Sequence, residues 1–494
     1  MPHANRPMKL PRRKVLQGAA LGAAAFSLPH IGLARGGKPW RPNDELRVAV
    51  IGIRSRGRNH IAGLHALDGV RVVAVCDVDP AFLEREKQAF TSRGEELDTY
   101  TDLREVLDRE DIDIVASATP NHWHALLTTW ACQAGKDVYI EKPVSHNVWE
   151  GRQMVRAARK HGRIVQTGTQ CRSSHALRDA IAWMQAGNLG AVLHAQGLCY
   201  KPRKSIGKVP GPQPTPEGLD YGMWLGPAEE TPLMRRSLHY DWHWDHATGN
   251  GDMGNQGIHQ MDICRWALGH DSLSSRIVSV GGRLGYDDDG NTPNTQLTLH
   301  EFESGAPILF EVRGLPVDAA AQAGNWKMDR YNDVAIGALV HCEGGTLRVP
   351  NYSSAQAFDL EGKEVASWKG ADDHYANFIE AVRARDASLL TADIEEGHLS
   401  SGLCHLGNIS HLTGADATPD ELRELVAGRG PAIDALDRMA THLAANGVDL
   451  EAERLTAGSV LELDPGTERF TNNPLANRLL TRPYREPFVV PTEL

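Results

Sequence analysis

Within the fourteen residues from Gly249 to Asp262, GNGDMGNQGIHQMD, a glycine-rich turn delivers an amide, an imidazole and a carboxylate at one-turn spacing: Asn255, His259 and Asp262. Imidazole is the side chain that takes up a proton near neutral pH, so His259 is the candidate general base, with an ionisation expected in the neutral region. An amide takes no proton, which leaves Asn255 to orient a substrate hydroxyl or the imidazole itself. Asp262 lies three residues after His259 and shares its helix face if the helix has begun. There it holds the imidazole tautomer, or else it serves as a capping or domain-contact residue.

A second reactive group stands in the tripeptide Glu141-Lys142-Pro143. An ammonium beside a hydroxyl hydrogen-bonds its oxygen and favours the alkoxide, which lowers the barrier to hydride departure. A hydride needs an acceptor, and the segment Gly52-Ile53-Arg54-Ser55-Arg56-Gly57 supplies the pattern for one. It closes an apolar strand and opens a helix, the arrangement that points a helix N-terminus at a dinucleotide pyrophosphate. Gly52, Ile53, Arg54 and Gly57 are the candidate contacts, and Arg54 stands where the middle Gly of the fingerprint belongs. Asp77 ends the next strand, where a carboxylate binds ribose hydroxyls and repels a 2′-phosphate, favouring NAD(H) over NADP. Asp79, just before Pro80, suits a helix cap better. Thr119, Pro120, Asn121 and His124 follow the third strand, Glu141 the fourth, and Gln170 completes the cofactor set.

These residues need a scaffold that brings strand ends to one edge. Leu46–Ile51, Val70–Cys76, Ile112–Ala118, Val138–Ile140 and Ile164–Thr167 are short β-branched runs separated by amphipathic stretches such as 80–90 and 125–134. That alternation predicts an α/β fold, a Rossmann doubly wound parallel sheet over residues 45–169. From 170 to 412 the pattern changes. Helices are expected over 175–186, 374–385 and 395–412, and strands over 192–200, 276–280, 295–302 and 307–312, giving an α+β domain with an open, largely antiparallel sheet. Residues 413–494 form a C-terminal extension that ends in a Pro-punctuated, extended segment, 481–494.

Over roughly Leu46 to Leu412 the chain resembles the glucose-fructose oxidoreductase, inositol dehydrogenase and rhizopine catabolism family (Gfo/Idh/MocA). The resemblance rests on ATPNHWH (118–124), YIEKPVSHN (139–147) and GNGDMGNQGIHQMD. It implies that Lys142 contacts both nicotinamide and substrate. It also implies that a substrate ligand and a catalytic acid/base stand where this chain has Asn255 and His259. The family pattern has Asp at the first of these, so His259 carries the proton alone. Sugar hydroxyls are the implied substrates, and members are known both as oxidoreductases and as NAD-dependent glycoside hydrolases.

The stretch HYDWHWDHATGN, 239–250, supports a carbohydrate cleft, because aromatic faces stack on sugar rings and His donors reach hydroxyls. Trp242 and His243 are the candidates there, with Arg172 and Tyr200 as further wall residues. The His spacing matches no strong ligand motif, so no metal is expected. Seven scattered cysteines without CxxC spacing form neither a zinc site nor a disulfide framework and read as buried small hydrophobes.

Composition narrows the partners. Residues 1–34 carry five Lys/Arg and no acid, then an apolar run ending at Gly32-Leu33-Ala34. With Arg12-Arg13 ahead of Lys14-Val15-Leu16-Gln17, this reads as a twin-arginine signal peptide for export to the periplasm. Its removal takes the formal charge from −11 to about −16, which excludes nucleic acid and anionic membrane as partners. The expected protein is an exported NAD(H)-dependent oxidoreductase acting on a sugar, glycoside or polyol hydroxyl, with tightly bound cofactor, in a homo-oligomer. The rival readings are an NAD-dependent glycoside hydrolase and, given Arg54 and Asn255, a carbohydrate-binding relative without chemistry.

Overall fold

The computed structural model describes residues 32–33, 39–40 and 45–494. The expected signal, 1–34, lies outside the described residues except for Gly32–Leu33, which pairs antiparallel with Pro39–Trp40. Among the described residues no helix is long and apolar enough to cross a membrane.

Six strands, β1 (Leu46–Ile51), β2 (Val70–Cys76), β3 (Asp98–Tyr100), β4 (Ile114–Ser117), β5 (Asp137–Ile140) and β6 (Val165–Thr167), form a wholly parallel sheet in the order β3-β2-β1-β4-β5-β6. The order reverses between β1 and β4, which opens a crevice at their carboxyl ends. Helices α1 (Arg56–His65), α2 (Pro80–Thr91), α3 (Leu103–Leu107), α4 (Asn121–Gln133) and α5 (Val148–Lys160) connect the strands. Three of them begin on side-chain caps: Asp79 accepts from Ala81 N before α2, Asp102 from Arg104 N before α3, and Asn147 from Glu150 N before α5. Helix α4 starts four residues earlier than its amphipathic pattern predicts. Pro120 at its N-cap is set for entry, and Asn121, His122, Trp123 and His124 form a buried first turn rather than a loop.

The second domain is built on a twelve-stranded sheet. Its main run is β7 (Val192–Tyr200), β8 (Arg276–Gly282), β9 (Thr295–Glu301), β10 (Ile308–Arg313), β11 (Ile336–Cys342), β12 (Gly345–Asn351), β13 (Ser354–Asp359) and β14 (Glu364–Lys369). They lie in the order β14-β13-β12-β11-β7-β10-β9-β8, and β7 with β10 is the parallel pair in this otherwise antiparallel sheet. Alternation sorts the faces. Ile308, Phe310 and Val312 of β10 point inward, packing with helices α8 (Gly257–Leu268) and α9 (Ile394–Leu412), while Leu309 points outward. Between β7 and β8 the chain also forms the short helix α7 (Gly251–Asn255), and α6 (His175–Trp183) precedes β7. All seven cysteines are buried and free.

The extension is more structured than its sequence suggests. Helices Pro419–Leu425 and Gly430–Ala445 cover the outer sheet face, where Leu436, Met439 and Leu443 pack with Val278, Val280, Leu297 and Leu299. The chain then returns across the first domain as a strap. Leu480 O accepts from Trp149 N at 2.9 Å, and Tyr484 donates to Glu150 at 3.0 Å. Phe488 and Val490 are buried in the first-domain core, the Phe488 ring meeting Trp123 edge-on at 5.4 Å. Phe488→Ala is expected to cost roughly 3 kcal/mol, as for a buried phenyl truncated to a cavity. Denaturant unfolding checks it, and an unchanged midpoint would mean that the strap adds nothing to the first domain.

Candidate active site

The crevice forms a cleft of about 250 Å³, lined at one end by Gly52, Arg54, Asp77, Phe82, Leu103 and His239 and at the other by Glu141, Lys142, Trp242, His243 and Asn255. Gly52 sits at φ +80°, and a Cβ there would lie 2.8 Å from Ala118 C. A Cβ on Gly57 would lie 2.0 Å from Gly52 O, so the turn and the helix start pack backbone to backbone. Asp77 Oδ2 accepts from Ile53 N at 2.8 Å, which holds the turn and leaves the carboxylate facing the cleft. Burial pushes the Asp77 carboxyl up to about 6 against the backbone donors that lower it. Asp79 caps α2 and also accepts from His239 Nε2 at 2.9 Å, while Arg54 donates to His239 O at 3.4 Å. The second domain thereby closes over this end of the cleft from both sides.

The wall between the two ends comes from the first turn of α4. Thr119, Pro120, Asn121 and His124 all line the cleft. His124 has its two ring nitrogens 2.8 Å from Thr119 O and 2.7 Å from Pro143 O, so one imidazole ties together the loops after β4 and β5. Burial lowers its pKa, and the neutral ring donates to one carbonyl at a time.

Beyond it lies a buried charge cluster. Glu141 accepts from Arg56 Nε at 2.6 Å and faces His60 Nε2 at 3.5 Å. Burial alone raises a carboxyl pKa, but Arg56, His60 and Lys142 outweigh it and hold Glu141 at about 2. The carboxylate fits because residue 168 is glycine: a Cβ there would lie 2.9 Å from Glu141 Oε1. Gln170 does not reach the cleft. Its amide bonds Gly168 O at 2.8 Å and the Arg56 guanidinium, so it braces the cluster from behind. Lys142 Nζ donates to Asn255 O at 2.7 Å, and burial, with Lys201 and Arg56 adding to it against Glu141, lowers its pKa.

The catalytic turn is fixed by a node that spacing did not reveal. Asn250 Oδ1 accepts from Asn121 at 2.8 Å, its amide donates to His146 O at 2.9 Å, and its carbonyl accepts from Asn408 at 3.0 Å. Asp252 is held by two bonds from Arg203, at 2.7 and 2.8 Å. Helix α7 then passes into α8 through Gln256, whose amide oxygen accepts from Lys201 Nζ at 2.6 Å and whose nitrogen donates to Tyr352 OH at 2.6 Å. His259 follows, 4 % exposed, with its ring 4.8 Å from that of Tyr352. Burial first, then Lys142 and Lys201, hold its pKa well below 6.5, against a raising contribution from Glu141. The expected ionisation in the neutral region is therefore displaced to acid. Trp242 and His243 stack at 3.6 Å on the cleft wall.

Asp262 and the two further wall residues expected, Arg172 and Tyr200, are engaged elsewhere. Asp262, 0 % exposed, turns away from His259 and accepts from Arg172 Nε at 2.9 Å and from Ser400 at 2.7 Å. Arg172 is consumed by this pair, by Glu396 at 3.0 Å and by the Trp266 ring. Tyr200 donates to Glu311 at 2.6 Å on the outer side of the sheet, under Arg313. In each case a buried charge or hydroxyl found its partner inside the second domain, and helical spacing does not say which face of α8 meets the substrate. Lys201, Gln256 and Tyr352 were missed. The signal for the first is a lysine placed directly after an apolar strand.

Residues 46–169 match the family model of the Gfo/Idh/MocA oxidoreductase family, NAD-binding Rossmann fold, and residues 191–327 match that family's C-terminal alpha/beta domain. A glycosyl hydrolase family 109 protein of Shewanella pealeana is 33 % identical over 172 residues, 31 % of this chain and 38 % of that protein. The matched stretch thus spans less than half of that relative. The inositol 2-dehydrogenase of Burkholderia lata is 26 % identical over 269 residues, 54 % of this chain and 67 % of the relative. Among solved structures, levoglucosan dehydrogenase in complex with NADH and levoglucosan superimposes with a TM-score of 0.54 at 18 % identity, covering 73 % of this chain and 95 % of that one. The WlbA dehydrogenase of Bordetella pertussis, in complex with NADH and UDP-GlcNAcA, gives 0.52 at 19 %, covering 73 % and 94 %. These likenesses bear out the α/β fold with its largely antiparallel second sheet.

The geometry separates Asp262 from the chemistry. Removing one partner of a buried pair leaves the other charge uncompensated, at a cost of about 3–5 kcal/mol. Asp262→Ala is therefore expected to lower the melting temperature sharply while the folded fraction turns over at a near-normal rate. A stable variant with lost activity would return Asp262 to the mechanism.

Proposed function

Because this chain carries both domains of the Gfo/Idh/MocA oxidoreductase family, we propose that it is an exported, NAD(H)-dependent oxidoreductase acting on a hydroxyl of a sugar, glycoside or polyol. The observation that carries the reading is Lys142: a buried ammonium at the far end of the dinucleotide cleft, bonded to a backbone carbonyl rather than to a carboxylate. The residues fit NAD(H). Gly52 and Gly57 allow the tight turn and the close start of α1 that aim a helix N-terminus at a pyrophosphate, and Asp77, at the end of β2, would meet the ribose. When bound, the cofactor supplies the hydride acceptor and later the donor.

The chain's own residues handle the proton and the geometry. Lys142, its ammonium held by Asn255 O and its backbone N–H by Glu141, donates to the substrate oxygen and stabilises alkoxide character. His259, kept neutral by burial and by Lys142, Arg56 and Lys201, accepts the hydroxyl proton. Asn255 directs an amide toward the same hydroxyl. Trp242 and His243 give the sugar a flat wall. The clamp of His239 on Asp79 and Arg54 suits a cofactor retained between turnovers. Retention matches export in a folded state, which rests on Arg12-Arg13 and the apolar run behind them.

A second reading is favoured by the family 109 hydrolase relatives. Oxidation of a ring hydroxyl to a ketone acidifies the neighbouring C–H, loss of that proton expels the glycosidic alcohol, water adds, and the returned hydride restores the hydroxyl. Glycoside cleavage without added NAD distinguishes this cycle from net oxidation, in which the absorbance of NADH accumulates. No nucleotide released on denaturation and no absorbance change with any sugar would overturn both.

Lys142→Ala is expected to reduce kcat by roughly two decades or more while nucleotide binding, followed by cofactor titration, stays near normal. A variant of ordinary rate would remove Lys142 from the reaction. The pH profile follows from the His259 environment. A base must be unprotonated to act, so a lowered pKa keeps it competent as the pH falls, and activity stays level through the usual histidine value of 6.5 and declines only well below it. His259→Asn should lower the rate and erase that acid limb. A limb centred on the ordinary value in the wild type would contradict the burial of a neutral imidazole.

A further inference from the structure

The charges around the turn between α7 and α8 do not balance. Each acid near it is already answered: Glu141 by Arg56, Asp252 by Arg203 and Asp262 by Arg172. Two cations are not. Lys142 Nζ rests on Asn255 O at 2.7 Å and Lys201 Nζ on Gln256 Oε1 at 2.6 Å, so two ammonium groups grip successive residues with neutral oxygens as partners. Among the described residues neither lies within ion-pair distance of a carboxylate, whereas the nearby Arg56 and Arg203 each do. Lys142 and Lys201 are both half-buried, and each contributes to the field that depresses the pKa of His259. Burying two like charges together is costly unless something of opposite sign joins them. The neighbouring groups, Gln256, Tyr352 and His259, bring amide, phenol and neutral imidazole, none of which carries a negative charge.

From this imbalance, and resting on the sugar reading above, we propose that the substrate is an anionic sugar. Lys142 meets the reacting hydroxyl, and Lys201 receives a carboxylate or phosphate ester elsewhere on the same sugar. The chain delivers Lys201 for this purpose at the end of β7, in Tyr200-Lys201-Pro202-Arg203-Lys204. There Arg203 is spent on Asp252, and Lys204 is exposed with its ammonium 5.5 Å from the Trp326 ring. The end of β7 is thus locally cationic on a chain that is acidic overall, a charge pattern that favours approach of an anion to this region over the rest of the surface.

Calorimetry and NADH formation on the protein as purified, with its own nucleotide, test this with three probes: methyl glucuronide, glucose 6-phosphate and methyl glucoside. One of the two anions is expected to bind at least about ten-fold more tightly than the neutral glycoside, as a charge-assisted contact would give. The better anion identifies the carboxylate or the phosphate as the group recognised. Raised salt should erode the preference. Lys201→Gln should raise KM for the preferred anion toward the neutral value with a smaller change in kcat, and Lys201→Arg should keep much of the preference. Circular dichroism of both variants guards against misfolding, and the wild-type ranking needs no variant at all. Equal binding of neutral and anionic probes, or a preference that survives Lys201→Gln, overturns the inference and leaves the sugar oxidoreductase standing. No response to any of the three probes, nor to a wider set of neutral sugars and polyols, overturns the sugar reading and this inference with it.

Discussion

The active-site geometry depends on one buried amide. Asn250 joins the first turn of α4 through Asn121, the segment after Glu141-Lys142-Pro143 through His146 O, and the long helix α9 through Asn408. These lie in different domains or on different layers, and the groups proposed to react are divided in the same way: Lys142 comes from the first domain, His259 and Asn255 from the second. Proton transfer tolerates errors of only a few tenths of an ångström. Two domains joined by loops do not hold that tolerance alone, and a fully satisfied amide with no charge to titrate does so without becoming pH-sensitive.

Around that node the molecule uses packing to close the cleft. The segment from Tyr221 to His243 leaves the second sheet, lays Trp224 against Trp123 and His122 of α4, and ends with His239 on Asp79. The C-terminal strap then fastens this segment from outside, Arg485 donating to Gly226 O at 3.2 Å and Arg482 to Ala247 O at 2.9 Å. The extension has two separate effects. Its helices cover apolar side chains of the outer sheet face, and its last residues brace the cleft roof.

Much of the fold was legible because parallel strands buried on both faces must be continuous β-branched runs, as in Val70–Cys76 and Leu46–Ile51. Strand β3, Asp98–Tyr100, escaped because an edge strand of three polar or half-exposed residues carries no apolar pattern. Strands β11 to β14 went unread although β12 alternates buried and half-exposed positions, Gly345 to Asn351. The helix at Pro419 was announced by a capping box, Thr418 with Glu421. At the site, local motifs singled out Lys142 and Asp77, which line the cleft, and His259, which is buried at the start of α8. The pairing of Asp262 with Arg172 joins residues 90 positions apart, and no spacing rule in α8 tells which face turns to the substrate and which to α9.

The replacement of the family's Asp by Asn255 gains a physical meaning in this setting. The backbone carbonyl of Asn255 meets Lys142 Nζ, and a carboxylate on that residue would add a negative charge to this end of the cleft, one turn before His259. It would neutralise the ammonium field and raise the imidazole pKa toward the ordinary range. The amide leaves that field uncancelled: Lys142 and Lys201 both act to lower the pKa of His259, and burial acts in the same direction. The exchange therefore trades a base that shares its proton with a carboxylate for one that is neutral over a wide pH range but intrinsically weaker. A weaker base is adequate only when its partner lowers the acidity barrier, and in the proposed mechanism the Lys142 ammonium would do that by stabilising the developing alkoxide. Asn255, Lys142 and His259 thus form one interdependent set, in which the charge missing from the first tunes the other two.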